Sequence, residues 1–274
     1  HLKVILSGSY IASMRDSLKE SSPLFGRPTL ILALEGLDYY ETANFYPLAS
    51  LEEKVAYYAA FGGTPYFPNA LDPKLSFEEN LCHLFLEKNA FFETEIRFEL
   101  RYEVGKIEGA NLLLSALAGG YKKYAELRDI YASKNPTGNC DYVPSSLVEM
   151  GLVKKLFAHN KAGLGKPYYQ IADNAFLFYF TYVYPYVGPR EIMDTHTFFN
   201  QFVAPSFYEH YLPLRFEAMA QDFLIRRNKA SQIDPPFFEI GRFLYDNPKE
   251  KISREFDIVS KDAHGYIAYE CKYT

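Results

Sequence analysis

Hydrophobic and polar positions follow three different rhythms along this chain. It opens on an unbroken apolar run, "LKVILSGSY" (residues 2–10), closed by small polar residues. A run without alternation predicts a strand buried on both faces, as in a parallel sheet. "PTLILAL" (28–34) is a second such run. Doubly buried strands need neighbours on both sides, and no other run of this kind follows. Most of the parent sheet is therefore expected outside this sequence, with the chain cut at its start. From Ser50 the rhythm turns helical. "SLEEKVAYYAAFGG" has Ser50 as cap, Glu53 at the capping-box position and a glycine stop. Helical patterning continues through "SFEENLCHLFLEKNAFFETEIRFELRYEV" (76–104).

Shorter helical segments follow: "ANLLLSALAGG", "KYAELRDIYAS" and "DYVPSSLVEMGLVKKL". Next come a strand in "LVKKLFAH", a glycine-rich turn "NKAGLGK" and a strand in "PYYQIAD". Three helices and then a two-stranded wing is the order of a winged helix. "NAFLFYFTYVYPY" reads as an aromatic helix or extended segment. "SFYEHYLPLRFEAMAQDFLIRRN" reads as helix, broken or restarted at Pro213, and "PFFEIGRFLYDN" as a strand with a turn. The last stretch, "EFDIVSKDAHGYIAYECKYT" (255–274), alternates with period two and is expected to form a hairpin.

In that hairpin a turn centred on Ala263–His264 sets Asp257 across from Glu270 and Glu255 across from Lys272. Phe256, Ile258, Tyr269 and Cys271 then share the apolar face. Two facing carboxylates repel. A divalent cation removes the repulsion, and Mg²⁺ is commonly held by one or two carboxylates with waters and phosphate oxygens. Lys272 beside them could orient or deprotonate a water, or stabilise charge developing on phosphorus. The same pattern also fits an exposed hairpin face on which Lys272 pairs with Glu255 or Glu270.

Composition changes this picture in a few places. At 274 residues with 48% hydrophobic and 23% charged positions, the chain is long enough for two to four compact units. Aromatics reach 17%, with 24 Tyr, 23 Phe and no Trp, and serve packing, since they form no repeat. A net charge of −5 excludes a uniformly basic nucleic-acid binder. The charge is uneven. Residues 1–100 hold 14 acidic and 8 basic side chains, whereas 121–170 hold 8 basic against 4 acidic. The segment expected as recognition helix, 141–150, carries Asp141 and Glu149 and is not basic. Lys154, Lys155, Lys161 and Lys166 mark the wing, which suits phosphate contact more than base reading. A winged helix serving as a protein–protein spacer fits equally. Cys82, Cys140 and Cys271 are far apart and read as reduced thiols, and the six histidines show no ligand spacing. No apolar run spans a membrane and no signal peptide opens the chain, so a cytoplasmic protein is expected.

The stretch "FEIGRFLYDN…EFDIVSKDAHGYIAYECK" resembles the restriction-endonuclease-like PD-(D/E)xK nuclease superfamily. It is closest in character to the DUF234-type version fused to the C terminus of prokaryotic AAA+/STAND-type P-loop ATPases. The resemblance implies that Asp257, Glu270 and Lys272 form the catalytic set, with Asp257 and Glu270 as ligands of Mg²⁺. Glu217 in "LRFEAMAQDFL" completes it from the preceding helix. It implies further that "LKVILSGSY" is a sensor-1 strand with Ser7 or Ser9 near a γ-phosphate. Arg27 in "SPLFGRPTLILAL" would reach a phosphate in its own or a neighbouring subunit of a homo-oligomer, or else pair with Asp38 or Glu41. Pro65 in "FGGTPYF" would pack on an adenine. No GxxxxGK[ST] and no acidic Walker B strand are present, so ATP is a cofactor expected of the parent protein and not hydrolysed by this chain.

The resulting expectation is a multidomain α/β and α protein: the C-terminal piece of a P-loop core (1–48), a helical lid (49–100), a winged helix (101–187) and a partial restriction-endonuclease-like α/β domain (188–274). It would couple nucleotide state to a DNA-directed domain. The alternative is a non-enzymatic, nucleotide-switched DNA- or protein-binding regulator with an inactive nuclease fold.

Overall fold

The computed structural model describes residues 3–8, 14, 16–103, 107–135, 140, 142–157, 166–247 and 252–273. Ser9, Asp141, Lys161 and the turn 160–165 lie outside the described residues.

The two opening strands do not form. Residues 3–8 and 28–34 carry no strand, and their apolar side chains face solvent, Ile5 at 92% and Leu34 at 94% exposure. A strand persists only where its backbone N–H and C=O groups find a ladder, and none of the described ladders reaches them.

The helix expected from Ser50 begins there, and a second capped helix precedes it. α1 (Tyr39–Thr42) and α2 (Leu51–Phe61) both start with full capping boxes, from Asp38 and Glu41 and from Ser50 and Glu53. Gly62 stops α2 with φ of +69°, a conformation that favours glycine. The next residue has a different reason to be glycine. The Gly63 carbonyl accepts from the Leu37 amide at 2.8 Å, and a Cβ at 63 would stand 1.8 Å from the Leu37 carbonyl oxygen.

α3 (Phe77–Leu81), capped by Ser76, runs into a π turn at Cys82–Leu86. α4 (Phe91–Glu103) follows. α5 (Ile107–Ala118), α6 (Tyr124–Lys134) and α7 (Tyr142–Glu149) then lead into a small antiparallel sheet. Its strands β1 (Lys122–Lys123), β2 (Val153–Leu156) and β3 (Tyr168–Ile171) stand in the order β1-β3-β2. α8 (Asn174–Phe178) is capped by Asp173, whose carboxylate accepts from Ala175 and Phe176 amides. Short segments α9 (Val187–Ile192), α10 (Thr195–Phe198) and α11 (Ala204–Ser206) alternate with π turns. Pro213 sits in the first turn of the long α12 (Leu212–Lys229), where its missing N–H costs nothing.

One core joins α2, α3 and α4 to α8 and the segments after it, and it is rich in packed rings. Phe85 lies 4.5 Å from Phe92 and 4.6 Å from Phe178, centroid to centroid, and all three are buried. Tyr211 buries its hydroxyl by donating to the Ala59 and Asn174 carbonyls. No described helix is long and apolar enough to cross a membrane.

The chain ends in a second antiparallel sheet of β4 (Glu239–Asn247), β5 (Ile252–Lys261) and β6 (Tyr266–Tyr269), against which α12 packs. β5 pairs β6 through Ile258↔Tyr269 and Lys261↔Tyr266, the register expected from the sequence. The turn is closed by Asp262, whose carboxylate accepts from the His264 and Gly265 amides. The expected apolar face is corrected by a bulge. Gly241 pairs with Val259 but Phe243 pairs with Phe256, so Asp257 and Ile258 together oppose Arg242. The extra residue breaks period two between Phe256 and Ile258; beyond it Ile258 and Val259 point to opposite faces and both are buried, so both faces of β5 are covered there, while Phe256 is 41% exposed.

Candidate functional site

The bulge opens onto a cleft of about 260 Å³ between the two sheets. α12 contributes Arg215, Glu217 and Asp222; β2 contributes Lys154; β4 and β5 contribute Arg242 and Asp257. Three cations and three carboxylates therefore meet in one space. Helical spacing explains the first contribution, since residues three and four apart share a face of α12. Strand pairing explains the last, since Arg242 and Asp257 meet across the bulge.

Arg242 holds the cleft together. It donates to Glu217 at 2.8 Å and pairs with Glu255 at 2.6 Å. Its guanidinium lies 5.6 Å from the centre of the Tyr121 ring, and Tyr121 in turn donates its hydroxyl to Glu255 at 3.0 Å. Helix α12, the second sheet and the edge of the first are thus joined through one side chain. Burial pushes the Glu217 carboxyl up, partly offset by Arg242, and the nearby Asp257 charge pushes the same way as burial. Asp222 is raised by burial and eased down by Lys154. Lys154 is lowered by the protein around its ammonium group and then by Arg215, although the side chain stays accessible at the mouth.

The residues singled out from sequence divide into two groups. Glu217 and Asp257 come together in the cleft. Asp257 also accepts from the Cys271 amide at 2.8 Å, and burial followed by the Asp257 and Glu217 charges raises the Cys271 thiol. Glu270 and Lys272 point outward, 76% and 71% exposed, and pair with each other at 3.3 Å. Their ladder stops at Tyr269 because the chain turns back onto α12, where Tyr273 packs edge-on against Phe216 at 5.6 Å. Among the described residues no group of three or more His, Cys, Asp or Glu converges as a metal cage.

The residues implied for nucleotide contact lie elsewhere. Ser7, Arg27 and Pro65 are all solvent-exposed. Asp38 pairs with Arg226, whose guanidinium also covers the Tyr40 ring. Thr64, beside Pro65, bonds the Asp173 carboxylate, so the "FGGTPYF" loop is tied to the start of α8.

Arg215, Asp222 and Arg242 were not singled out by the sequence reading. The charged spacing of α12, with Arg215, Glu217 and Asp222 inside a helix otherwise rich in apolar positions, was the available signal. Lys154 was noted among the wing lysines suited to phosphate contact, not as a partner of α12.

Residues 179–274 match a family described as archaeal and bacterial proteins of unknown function, DUF234. Over 249 residues, 89% of this chain, the sequence is 29% identical to an uncharacterized protein of Methanocaldococcus jannaschii. The match covers 54% of that protein, so the chain spans about half the length of the curated relative it matches. No solved structure matches the chain. The second sheet and the helix that packs on it, which carry most of the cleft, thus fall inside the segment that matches the DUF234 family.

Proposed function

We propose that this chain is part of a nucleotide-switched, DNA-directed protein whose cleft hydrolyses phosphodiesters with Mg²⁺. The observation that carries the reading is the convergence of Asp257 and Glu217 at the bulge. Two hard carboxylate donors beside open space fit a cation that keeps most of its shell as water and phosphate oxygen. Bound there, Mg²⁺ supplies charge stabilisation at the scissile phosphate and a more acidic water.

The chain's own residues supply the rest. Asp257 is fixed by the Cys271 amide and is ready to accept a cation. Glu217 is held by Arg242 and would be the second carboxylate to hold the cation. Extending the β5–β6 register by one pair brings residue 270 opposite 257. In that arrangement Glu270 joins the carboxylates, and Lys272, two residues on, stands on the same side to assist the attacking water. ATP would bind upstream parts of the parent protein, with Ser7, Ser9, Arg27 and Pro65 contributing from this chain. The β1-β3-β2 sheet following α5–α7 supports a winged helix as the DNA-directed module. A homo-oligomer follows if Arg27 acts on a neighbouring subunit.

The test is nicking of supercoiled plasmid by the full-length protein with Mg²⁺ and ATP. Cleavage that disappears in Asp257→Asn and Glu217→Gln supports the reading, and absence of any Mg²⁺-dependent cleavage by the wild type refutes it. A second reading, a non-enzymatic regulator with an inactive nuclease fold, is favoured by the Glu270–Lys272 pair standing outside the cleft. It requires nucleotide-dependent DNA or protein binding without cleavage.

A further inference from the structure

Arg242 has its partners, whereas among the described residues the other two cations of the cleft close no ion pair. The Arg215 Nε is fully buried without a hydrogen-bond partner. Its guanidinium lies 6.0 Å from the centre of the Tyr211 ring and closes no ion pair among the described residues. Lys154 enters the same cavity from β2 and likewise closes no ion pair there. Asp222 faces this space and attracts Lys154 without pairing to it. Two like charges brought together in a partly desolvated cavity oppose each other, and an unbonded buried donor carries the full cost of its lost hydration. A bound anion offsets the repulsion between the two cations.

The surroundings narrow the anion. A guanidinium and an ammonium lining one cleft match the tetrahedral oxygens of phosphate, the first as a fork and the second as a point charge. Phe157 and Tyr168 border the same opening and offer apolar faces of the kind on which bases stack. Glu217 and Asp257 line the same cavity.

We propose that Arg215 and Lys154 form a phosphate-binding pair, seating one phosphate of a DNA backbone or of a free nucleotide in the cleft that Glu217 and Asp257 also line. Assigning the phosphate to DNA rests on the function proposed above, whereas phosphate binding by the two cations stands without it. β2 then has a role separate from any base reading: its lysine completes a site whose other members lie on α12 and the second sheet.

The experiment is a fluorescence-anisotropy titration of the full chain with labelled single- and double-stranded oligodeoxynucleotides in EDTA, competed by dTMP and by inorganic phosphate. Lys154→Gln and Arg215→Gln are each expected to weaken binding about tenfold, and the double variant to flatten the salt dependence by about one phosphate contact. Arg215→Lys, which keeps the charge in the helix, is expected to recover part of the loss. Displacement of DNA by dTMP at low concentration assigns the pocket to a free nucleotide. Affinity and salt slope unchanged in Lys154→Gln and in the double variant overturn the proposal, as does a wild type that binds none of these probes. The two readings separate cleanly. A wild type that never cleaves but shows Lys154-dependent binding removes the metal reading alone. Mg²⁺-dependent cleavage with unchanged affinity in Lys154→Gln removes the phosphate pair alone.

Discussion

The aromatic core and the charged cleft are held together in opposite ways. Around Phe85 the contacts are ring against ring, dry and fully buried. Around Arg242 they are ion pairs between side chains that keep about a third of their surface in water, 32% for Arg242 and 36% for Glu255. Burial of large rings is strongly stabilising and non-directional. Half-exposed ion pairs stabilise little but fix orientation. The difference teaches where stability and function separate: the core sets whether the chain folds, and the cleft sets how three elements face one another.

The sharpest way to break this comparison is Phe85→Ala. It removes a wholly buried ring with two close aromatic neighbours and should cost about 3–5 kcal/mol in chemical denaturation. A loss below that of an ordinary surface change would mean that the rings do not form one core.

Arg242→Ala comes next. It unties Glu217, Glu255 and the Tyr121 contact at once, yet its partial exposure limits the stability loss to about 1 kcal/mol. The larger effect should appear in limited proteolysis, with faster cutting between the two sheets. Unchanged proteolysis would show that other contacts set their orientation.

Asp173→Asn sharpens the comparison through pH. Burial raises the Asp173 carboxyl above its ordinary value, although the Ala175 and Phe176 amides and Thr64 oppose the shift. A carboxyl raised in the folded state favours folding while it is protonated, and that contribution is lost as pH rises through its folded-state pKa. Asn keeps an acceptor for the cap and does not titrate. The Tm of the variant should therefore gain on the wild type as pH rises, and parallel Tm curves across that range would contradict the assignment. Smallest of all, Lys272→Gln should leave Tm unchanged, because its pair with Glu270 is exposed on both sides.

Local signals were legible in the sequence. Ser50 with Glu53 and Ser76 with Glu79 make capping boxes whose chemistry spans three residues, and both helices start there. The β5–β6 register was legible because a short turn leaves few ways to pair. Distant pairings were not. "IGR" and "FDIV" read as separate strands, and nothing local says that Arg242 meets Asp257 across a bulge. The two-residue β1 is too short for any period to show. The runs at 2–10 and 28–34 misled because apolar continuity reports what a strand would bury and is silent about which backbone would pair with it. Within the candidate site, Asp257 and Glu217 were named by the family resemblance, whereas Arg215 gains its meaning only from the fold that brings it to the same cavity as Lys154.

The added residue at Asp257–Ile258 gives the second sheet two reading frames. On one side of it, odd and even positions of β5 face as β4 dictates near Phe243; on the other side they are shifted by one. A relative lacking that single residue would carry its acid on the opposite side of the sheet, away from α12, even if every neighbouring letter were identical. Counting residues between "IGR" and "FDIV" is therefore a poor guide to which relatives keep the cleft. The length of β5 between its pairing with Phe243 and its pairing with Gly241 is the dimension that decides it.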